Sequence, residues 1–545
     1  MAESGAPKRE SKAQRVERIK REKDGLDVWD DILRYSREGF AAIDPEDAER
    51  FKWYGVYRQK PNDGFFMLRI RLPNGELRAH QLALIAELTE RFAHGFGDVT
   101  VRQNIQLHWL TIEDIPYVIG RLAGVGLTTT AACGDDPRVV VGCPVHGADC
   151  HEIFDARGVL MDVNRLYVGN RALSNLPRKF KVSIGGCAVR CAQPEINDIG
   201  LCAITRERRG GDEVGFDLAV GGGLSTHPVL ATRLPVFLQP WQVVPVCGAI
   251  AELFRDNGNR DKRTAARMKF LVEEWGAERF LGELQSRLDF ALDPDVPPLP
   301  PLPRERDHMG IHPQRQDGLF YVGLATRLGR ITAEQMRLIA ALASEHGDGV
   351  VRFTNNQNVI LLGVKEVRLD TVVREASNAM MPADGDVWQR NVVACTGAQF
   401  CNLAITDTKR DPGQDSPAER LLDTLQTRLA HFKSFVRINF NACPNSCGQH
   451  WIADVGLQGV LLKIGGEEIE GAMLTVGGGL GAESGFGRNT GVRLPLTDVP
   501  EALVHLFTAF ESHAEDAEAD FHSWVSALDD DALRGHLKVC ARPTP

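Results

Sequence analysis

"NGELRAHQLALIAEL" (74–88) returns as "LGRITAEQMRLIAAL" (328–342), 254 residues further on. "RQN" (102–104) faces "NQN" (356–358) at the same offset. "INDIGL" (196–201) matches "IADVGL" (452–457), and "VGGGL" starts at 220 and again at 476, both at offset 256. Self-similarity at a fixed separation across so many segments reads as a duplication. Leu82, Ile85, Leu88 and Phe92 mark one helical face, while "FFMLRIRL" alternates like a strand. The expected fold class is therefore α+β (mixed α/β), internally duplicated, with two pseudo-twofold-related halves and a site at their interface. The expected divisions are a basic, partly helical extension (1–50), a first repeat (51–292), a Pro-rich linker (293–307), a second repeat (308–500) and a C-terminal helical segment (501–545). The prolines of "DPDVPPLPPLPRERD" favour an extended, semi-rigid spacer.

Composition narrows the function. A chain of 545 residues exceeds one ordinary core. Its net charge of −10 lacks the basic footprint of a nucleic-acid protein. No apolar run approaches the roughly 20 residues of a membrane span. The N-terminal stretch is polar, with no apolar signal core, which places the chain in the cytoplasm, where thiols stay reduced and clustered cysteines mean metal or redox work.

Four of the twelve cysteines form two tight pairs: Cys395 and Cys401 as C-x5-C, Cys443 and Cys447 as C-x3-C. Structural zinc prefers C-x2–4-C pairs and often histidine, whereas iron–sulfur centres take four thiolates at more varied spacing. Spacing alone favours iron–sulfur and leaves zinc open. Gly, Asn and Pro around the pairs suit loops that wrap a cluster and turn backbone N–H groups toward sulfur.

"ACTGAQFCNLAITDTK" and "CPNSCGQHWIADVGLQG" closely resemble the cluster motifs of the assimilatory nitrite and sulfite reductases. The resemblance runs from about Phe51 to Arg493. It implies a [4Fe-4S] cluster on Cys395, Cys401, Cys443 and Cys447, with Cys447 bridging to the iron of siroheme. It also implies a six-electron reduction of sulfite or nitrite.

The copies diverge in charge. Arg69, Arg71, Arg102 and His108 become Gly323, Ala325, Asn356 and Leu362, and Lys179 becomes Phe435. Arg138 and Lys181 keep a cation as Arg390 and Arg437. Alternation puts Arg69 and Arg71 on one strand face, Arg102, Asn104, Gln106 and His108 on another, and Lys179, Lys181 and Ser183 on a third. A merely solvated face has no reason to diverge so one-sidedly. A polycarboxylate cofactor with an anionic substrate supplies one. By the resemblance, Arg69, Arg138, Lys179 and Lys181 bind the anion and supply protons, while Arg102, Gln106 and His108 contact siroheme carboxylates.

Lysine at 181 and histidine at 108 resemble sulfite reductases; plant-type nitrite reductases have asparagine at the first position and tend to have arginine at the second. Sulfite is the preferred substrate on this ground, and nitrite is the alternative. No glycine-rich dinucleotide fingerprint follows a strand, so the donor is external: a ferredoxin by resemblance, or a flavoprotein. "VGGGL" reads as turn glycines, with close approach to the macrocycle as the alternative. A monomer is expected. The competing readings are a cluster-bearing corrin-pathway oxygenase and a non-catalytic electron carrier or zinc-stabilised protein; neither accounts for the first-half cations.

The first copy also carries cysteines at all four cluster positions: Cys143, Cys150, Cys187 and Cys191. They read either as inert relics of the duplication or as ligands of a second [4Fe-4S] cluster.

Overall fold

The computed structural model describes residues 10–299, 308–514 and 520–537. Residues 300–307 of the Pro-rich linker, and Lys8 and Arg9 of the basic run, lie outside that set.

Two five-stranded antiparallel sheets share one core. The first orders Val56–Arg58, Phe66–Ile70, Ile105–Leu110, Phe96–Val99 and then Arg330–Thr332. The second orders Gly310–Pro313, Leu319–Leu324, Val359–Lys365, Val350–Phe353 and then Glu76–Arg78. Each half thus lends its third strand to the other's sheet: Ile331 pairs with Gly97, and Leu77 with Val351. The halves are not two beads on a linker but exchange edge strands, so that Phe96–Val99 and Val350–Phe353 are each covered by a short strand of the other half.

The repeated segment of the sequence is the strand and helix at this exchange. In the second copy Thr332 caps the helix Ala333–His346, its Oγ1 accepting the Gln335 N–H at 3.2 Å while Gln335 Oε1 accepts the Thr332 N–H at 2.9 Å. In the first copy Gln81 Oε1 closes the start of Ala79–Phe92 by accepting the Arg78 N–H at 2.8 Å. Leu82, Ile85 and Leu88 of one helix and Met336, Ile339 and Leu342 of the other are buried in a single cluster drawn from both halves. Each such side chain stabilises by about 1.5–3 kcal/mol.

Two further five-stranded sheets repeat one topology. Pro137–Gly142, Phe180–Gly185 and Ile199–Arg208 run parallel, and then Gly211–Val220 and Thr232–Leu238 run antiparallel. The second copy uses Val392–Ala394, Ile438–Asn441, Val455–Ile464, Glu467–Val476 and Arg488–Pro495. The pseudo-twofold relation shows in Gln193 and Gln449, 256 residues apart, which exchange side-chain amide hydrogen bonds at 3.3 and 2.7 Å. The VGGGL glycines serve backbone packing. A Cβ on Gly222 would sit 2.4 Å from the Glu195 carbonyl, and one on Gly478 would sit 2.3 Å from the Trp451 carbonyl.

Some cations of the basic N-terminal extension are paired with acids of the extension and of the first repeat. Arg18 meets Glu10, Glu22 and Glu46, and the buried Lys20 meets Glu17 and Asp135. Among the described residues no helix is long and apolar enough to cross a membrane.

Candidate active site

Parallel strands end in loops on one side of a sheet, so the turns after Val392–Ala394 and Ile438–Asn441 bring Cys395 and Cys443 side by side. Backbone amides turn onto the sulfurs: Ala442 N–H donates to Cys395 Sγ at 3.2 Å and Leu403 N–H to Cys401 Sγ at 3.4 Å. Asn445 Nδ2 donates to Cys443 Sγ at 3.5 Å. Burial pushes the Cys395 thiol up to about 12, and Cys447 and Cys443 add to the rise, so these sulfurs share one field. Yet no three of the four close to within 4.8 Å of one another. Spread, amide-lined thiols fit a centre larger than a single ion.

The cluster loop is clamped to the first half. Phe400 stacks on His108 with ring centroids 3.9 Å apart, and Lys60 N–H donates to the Phe400 carbonyl at 3.0 Å. Asn402 Nδ2 donates to the Arg58 carbonyl at 2.9 Å. Beneath lies Asp98, a residue the sequence reading missed. It is buried and meets Arg330 at 2.9 Å, Lys409 at 3.3 Å, Thr396 Oγ1 at 3.1 Å and His108 Nε2 at 3.4 Å. Burial alone would raise the Asp98 carboxyl, but Arg330 and Lys409 hold it well below the carboxylate range. Breaking a buried pair strands the partners' charges. Asp98→Asn is therefore expected to cost about 3–5 kcal/mol in denaturant unfolding. Because the folded pKa is depressed, this stabilisation is present above the unfolded value of about 3.9 and is lost as pH falls through the folded value. The variant should accordingly show a flatter acid limb than the parent; an unchanged midpoint at pH 7 would contradict the role.

Opposite the thiols lies the cationic recess. Lys179 stands within the field of Cys447, across the interface between halves. Burial first, then Arg267, lowers its ammonium to about 7, while Cys447 works the other way. Burial, Arg102 and Lys179 push Lys181 well below an ordinary lysine. Both side chains keep some accessible surface, but their ammonium groups sit deep enough for desolvation to lead. Arg102 donates to Asn197 Oδ1 at 2.7 Å and the Val139 carbonyl at 2.8 Å; Arg138 donates to the Ala132 and Gly134 carbonyls at 2.8 and 2.6 Å. Arg69 donates to Gln106 Oε1 at 2.7 Å and Cys133 Sγ at 3.0 Å. Arg267 was also missed; it carries no motif and lies in a helix lead-in. It meets Asp198 at 2.8 Å, the carboxylate that also accepts the Lys181 N–H at 2.9 Å. The Nε atoms of Arg102 and Arg138 are buried with no hydrogen-bond partner among the described residues. Crowded cations with unused donors fit a polycarboxylate guest and a small oxyanion.

The strand-face reading needs three corrections. The strand begins at Ile105, because Gln103 takes a left-handed backbone (φ 58°) and turns the chain, so Arg102 and Asn104 lie in a turn and not on the Gln106 face. Arg71 does not face the recess: it is fully buried and donates to the Ala131, Pro137 and Arg138 carbonyls and to Asn164. His108 is enclosed rather than open to the recess, with Nδ1 3.3 Å from Gln59 Oε1 and Nε2 3.4 Å from Asp98, so it braces the halves.

In the first copy the structure brings Cys143, Cys187 and Cys191 together and leaves Cys150 out. Cys150 is exposed and gathers with Asp149 and His151. Of the two readings, a second four-thiolate cluster finds only three of its thiols gathered. Arg190, within the Cys187–Cys191 loop, turns away to Asp217 at 2.9 Å.

Residues 133–292 and 388–526 match the nitrite and sulphite reductase 4Fe-4S domain, and residues 57–125 and 312–379 match the nitrite/sulfite reductase ferredoxin-like half domain. Each domain type matches twice, once per copy. The chain is 37% identical to the assimilatory ferredoxin-dependent nitrite reductase of Haloferax mediterranei, over 96% of this chain and 93% of that one. It is 33% identical to the sulfite reductase [ferredoxin] of Mycobacterium tuberculosis, over 95% of each. The solved structure of the Mycobacterium tuberculosis NirA protein superposes with a TM-score of 0.88 at 33% identity, covering 95% of this chain and 97% of that one.

Proposed function

Because this chain belongs to the nitrite and sulphite reductase family, we propose that it reduces sulfite to sulfide with six electrons drawn from a ferredoxin. The family implies siroheme and a [4Fe-4S] cluster, and together these supply electrons one at a time to a bound oxyanion. Cys395, Cys401, Cys443 and Cys447 would hold the cluster, with Cys447 shared with the siroheme iron. Arg102 and Gln106 would take siroheme carboxylates.

The observation that carries the reading is the gathering of first-half cations, in which Arg69, Arg102, Arg138 and Arg267 are each fixed by hydrogen bonds and Arg267 bears on both Lys179 and Lys181. Arg69, Arg138, Lys179 and Lys181 draw the anion in and stabilise negative charge as it accumulates, from donors already fixed in place. Removing oxygen from sulfur also consumes protons. A lysine lowered to about 7 can give one up and regain it near neutrality. The reading carries with it a cytoplasmic monomer.

An absorption spectrum with parallel turnover assays tests it. Siroheme bands with sulfide production support it; a cluster-only spectrum, or a pigmented protein that reduces neither anion, would overturn it. Relatives named for nitrite and for sulfite lie at similar distance, so the preference turns on Lys181. Lys181→Asn should move the sulfite-to-nitrite ratio of kcat/KM toward nitrite by roughly tenfold, the worth of one charge-assisted hydrogen bond that matters more to the more highly charged anion. An unchanged ratio would remove the ground for preferring sulfite.

A further inference from the structure

The three first-half thiols are placed differently from the four in the second half. Cys143 follows the strand Pro137–Gly142, and Cys187 and Cys191 follow its parallel neighbour Phe180–Gly185. Their sulfurs all lie within 4.8 Å of one another, and the residues are 2%, 2% and 5% exposed. A fourth ligand type comes from the other half: His308 is buried, with Nε2 3.9 Å from Cys143 Sγ. Its Nδ1 lies 3.4 Å from the Tyr321 hydroxyl, a partner for the far side of the ring that leaves Nε2 toward sulfur.

We propose that Cys143, Cys187, Cys191 and His308 form a Cys3His site for a single zinc ion, which ties the first repeat to the start of the second.

Geometry separates this from a second four-iron cluster. Zinc–sulfur bonds of about 2.3 Å and zinc–nitrogen bonds of about 2.0 Å, at tetrahedral angles, put sulfurs about 3.8 Å apart and sulfur and nitrogen about 3.5 Å apart. A four-iron cube spreads its thiolates to roughly 6 Å. The trio fits the first, and the absence of Cys150 from it removes the fourth thiolate the second would need; His308 Nε2 lies 3.9 Å from Cys143 Sγ but not within 4.8 Å of all three sulfurs, so the imidazole closes the tetrahedron by a small shift toward Cys187 and Cys191. The C-x3-C spacing of Cys187 and Cys191 is also a zinc spacing.

The surroundings are those of a closed structural site. Val145, Val189, Val350, Ile360 and Leu362 pack around the thiols and exclude water. Arg352, from the second half, donates to the Pro144 and His146 carbonyls at 3.1 and 2.8 Å and fixes the loop behind Cys143. Three thiolates, a neutral imidazole and Zn2+ carry one net negative charge; Arg352 lies near Cys143 but its guanidinium is already paired with Glu76 at 2.9 Å.

The duplication supplies the reason for the site. Leu362 and Gly323 occupy the places of His108 and Arg69 in the first copy, and they face this pseudo-symmetric counterpart of the recess. A Cβ on Gly323 would sit 2.2 Å from the His308 carbonyl. A side chain at 323 would therefore collide with the chain at His308, and glycine leaves the room in which it caps the thiols.

The test uses the full-length holoprotein, dialysed against EDTA and analysed for zinc, iron and siroheme together. The expectation is about one zinc per chain, with zinc-edge X-ray absorption showing three sulfurs and one nitrogen. Cys187→Ser with Cys191→Ser should lower zinc at least tenfold and leave iron and siroheme unchanged. His308→Ala should keep the sulfur shell and lose the nitrogen. Zinc near zero in the parent protein would overturn the proposal, whether accompanied by three alkylatable thiols, by about eight non-haem irons, or by one extra iron. A shell without sulfur would overturn it as well. The parent measurement stands even where a variant fails to fold. Iron and siroheme, read on the same sample, report separately on the proposed reductase site.

Discussion

Cys447→Ser lowers sulfite and nitrite turnover by at least ~100-fold, since even partners one shell behind a metal ligand are worth roughly 10–100-fold. The cause is specific to this sulfur. In the proposed arrangement Cys447 is both a cluster ligand and a neighbour of Lys179, so its loss would remove a metal ligand and disturb the anion recess together. Serine keeps size and removes the soft thiolate. Iron content and the siroheme spectrum should fall with turnover, whereas unfolding in denaturant should stay cooperative, because the second-half core around Trp388, Phe440 and Phe507 does not depend on this residue. Full turnover by the variant would end the assignment of the bridging ligand.

Lys179→Gln lowers kcat/KM for sulfite by about 10²–10³-fold, the range seen when one preorganised donor to developing negative charge is removed. Glutamine can still bind an oxyanion as a neutral donor but carries no charge and delivers no proton. Cofactor content should therefore match the parent while both kcat and kcat/KM fall. The second copy has Phe435 at the equivalent position. Activity within threefold of the parent would remove Lys179 from the reaction.

The parts of this account that were legible in the sequence are local ones. Cluster thiols must sit at short spacing on turns, and turns write Gly, Asn and Pro into the chain, so the second-half pairs were readable. The duplication was readable because both copies kept the same helix and the same glycine turns. What escaped reading depends on long-range contact. The strand exchange leaves no trace in alternation, since a lent strand has the same pattern as a kept one. Asp98 is a single acid in "HGFGDVT", and its partners Arg330 and Lys409 lie 232 and 311 residues away. Arg102 was placed on a strand because alternation cannot show that Gln103 turns left-handed. Arg71 and His108 were read as facing a site because a polar residue on an alternating face does not declare whether it meets water, a ligand or a buried partner. The first-half cysteines matched their counterparts in position, but Sγ separation, which decides what they can bind, is a tertiary quantity.

The most direct test of the composite site is its electron count. Purified enzyme, reduced ferredoxin and limiting sulfite are mixed without oxygen, and oxidised ferredoxin and sulfide are measured together. Sulfur passes from +4 to −2, so cations from one half and thiolates from the other, working on one anion, should consume about six one-electron donors for each sulfide formed. A ratio near two, or ferredoxin oxidised without sulfide, would contradict the account.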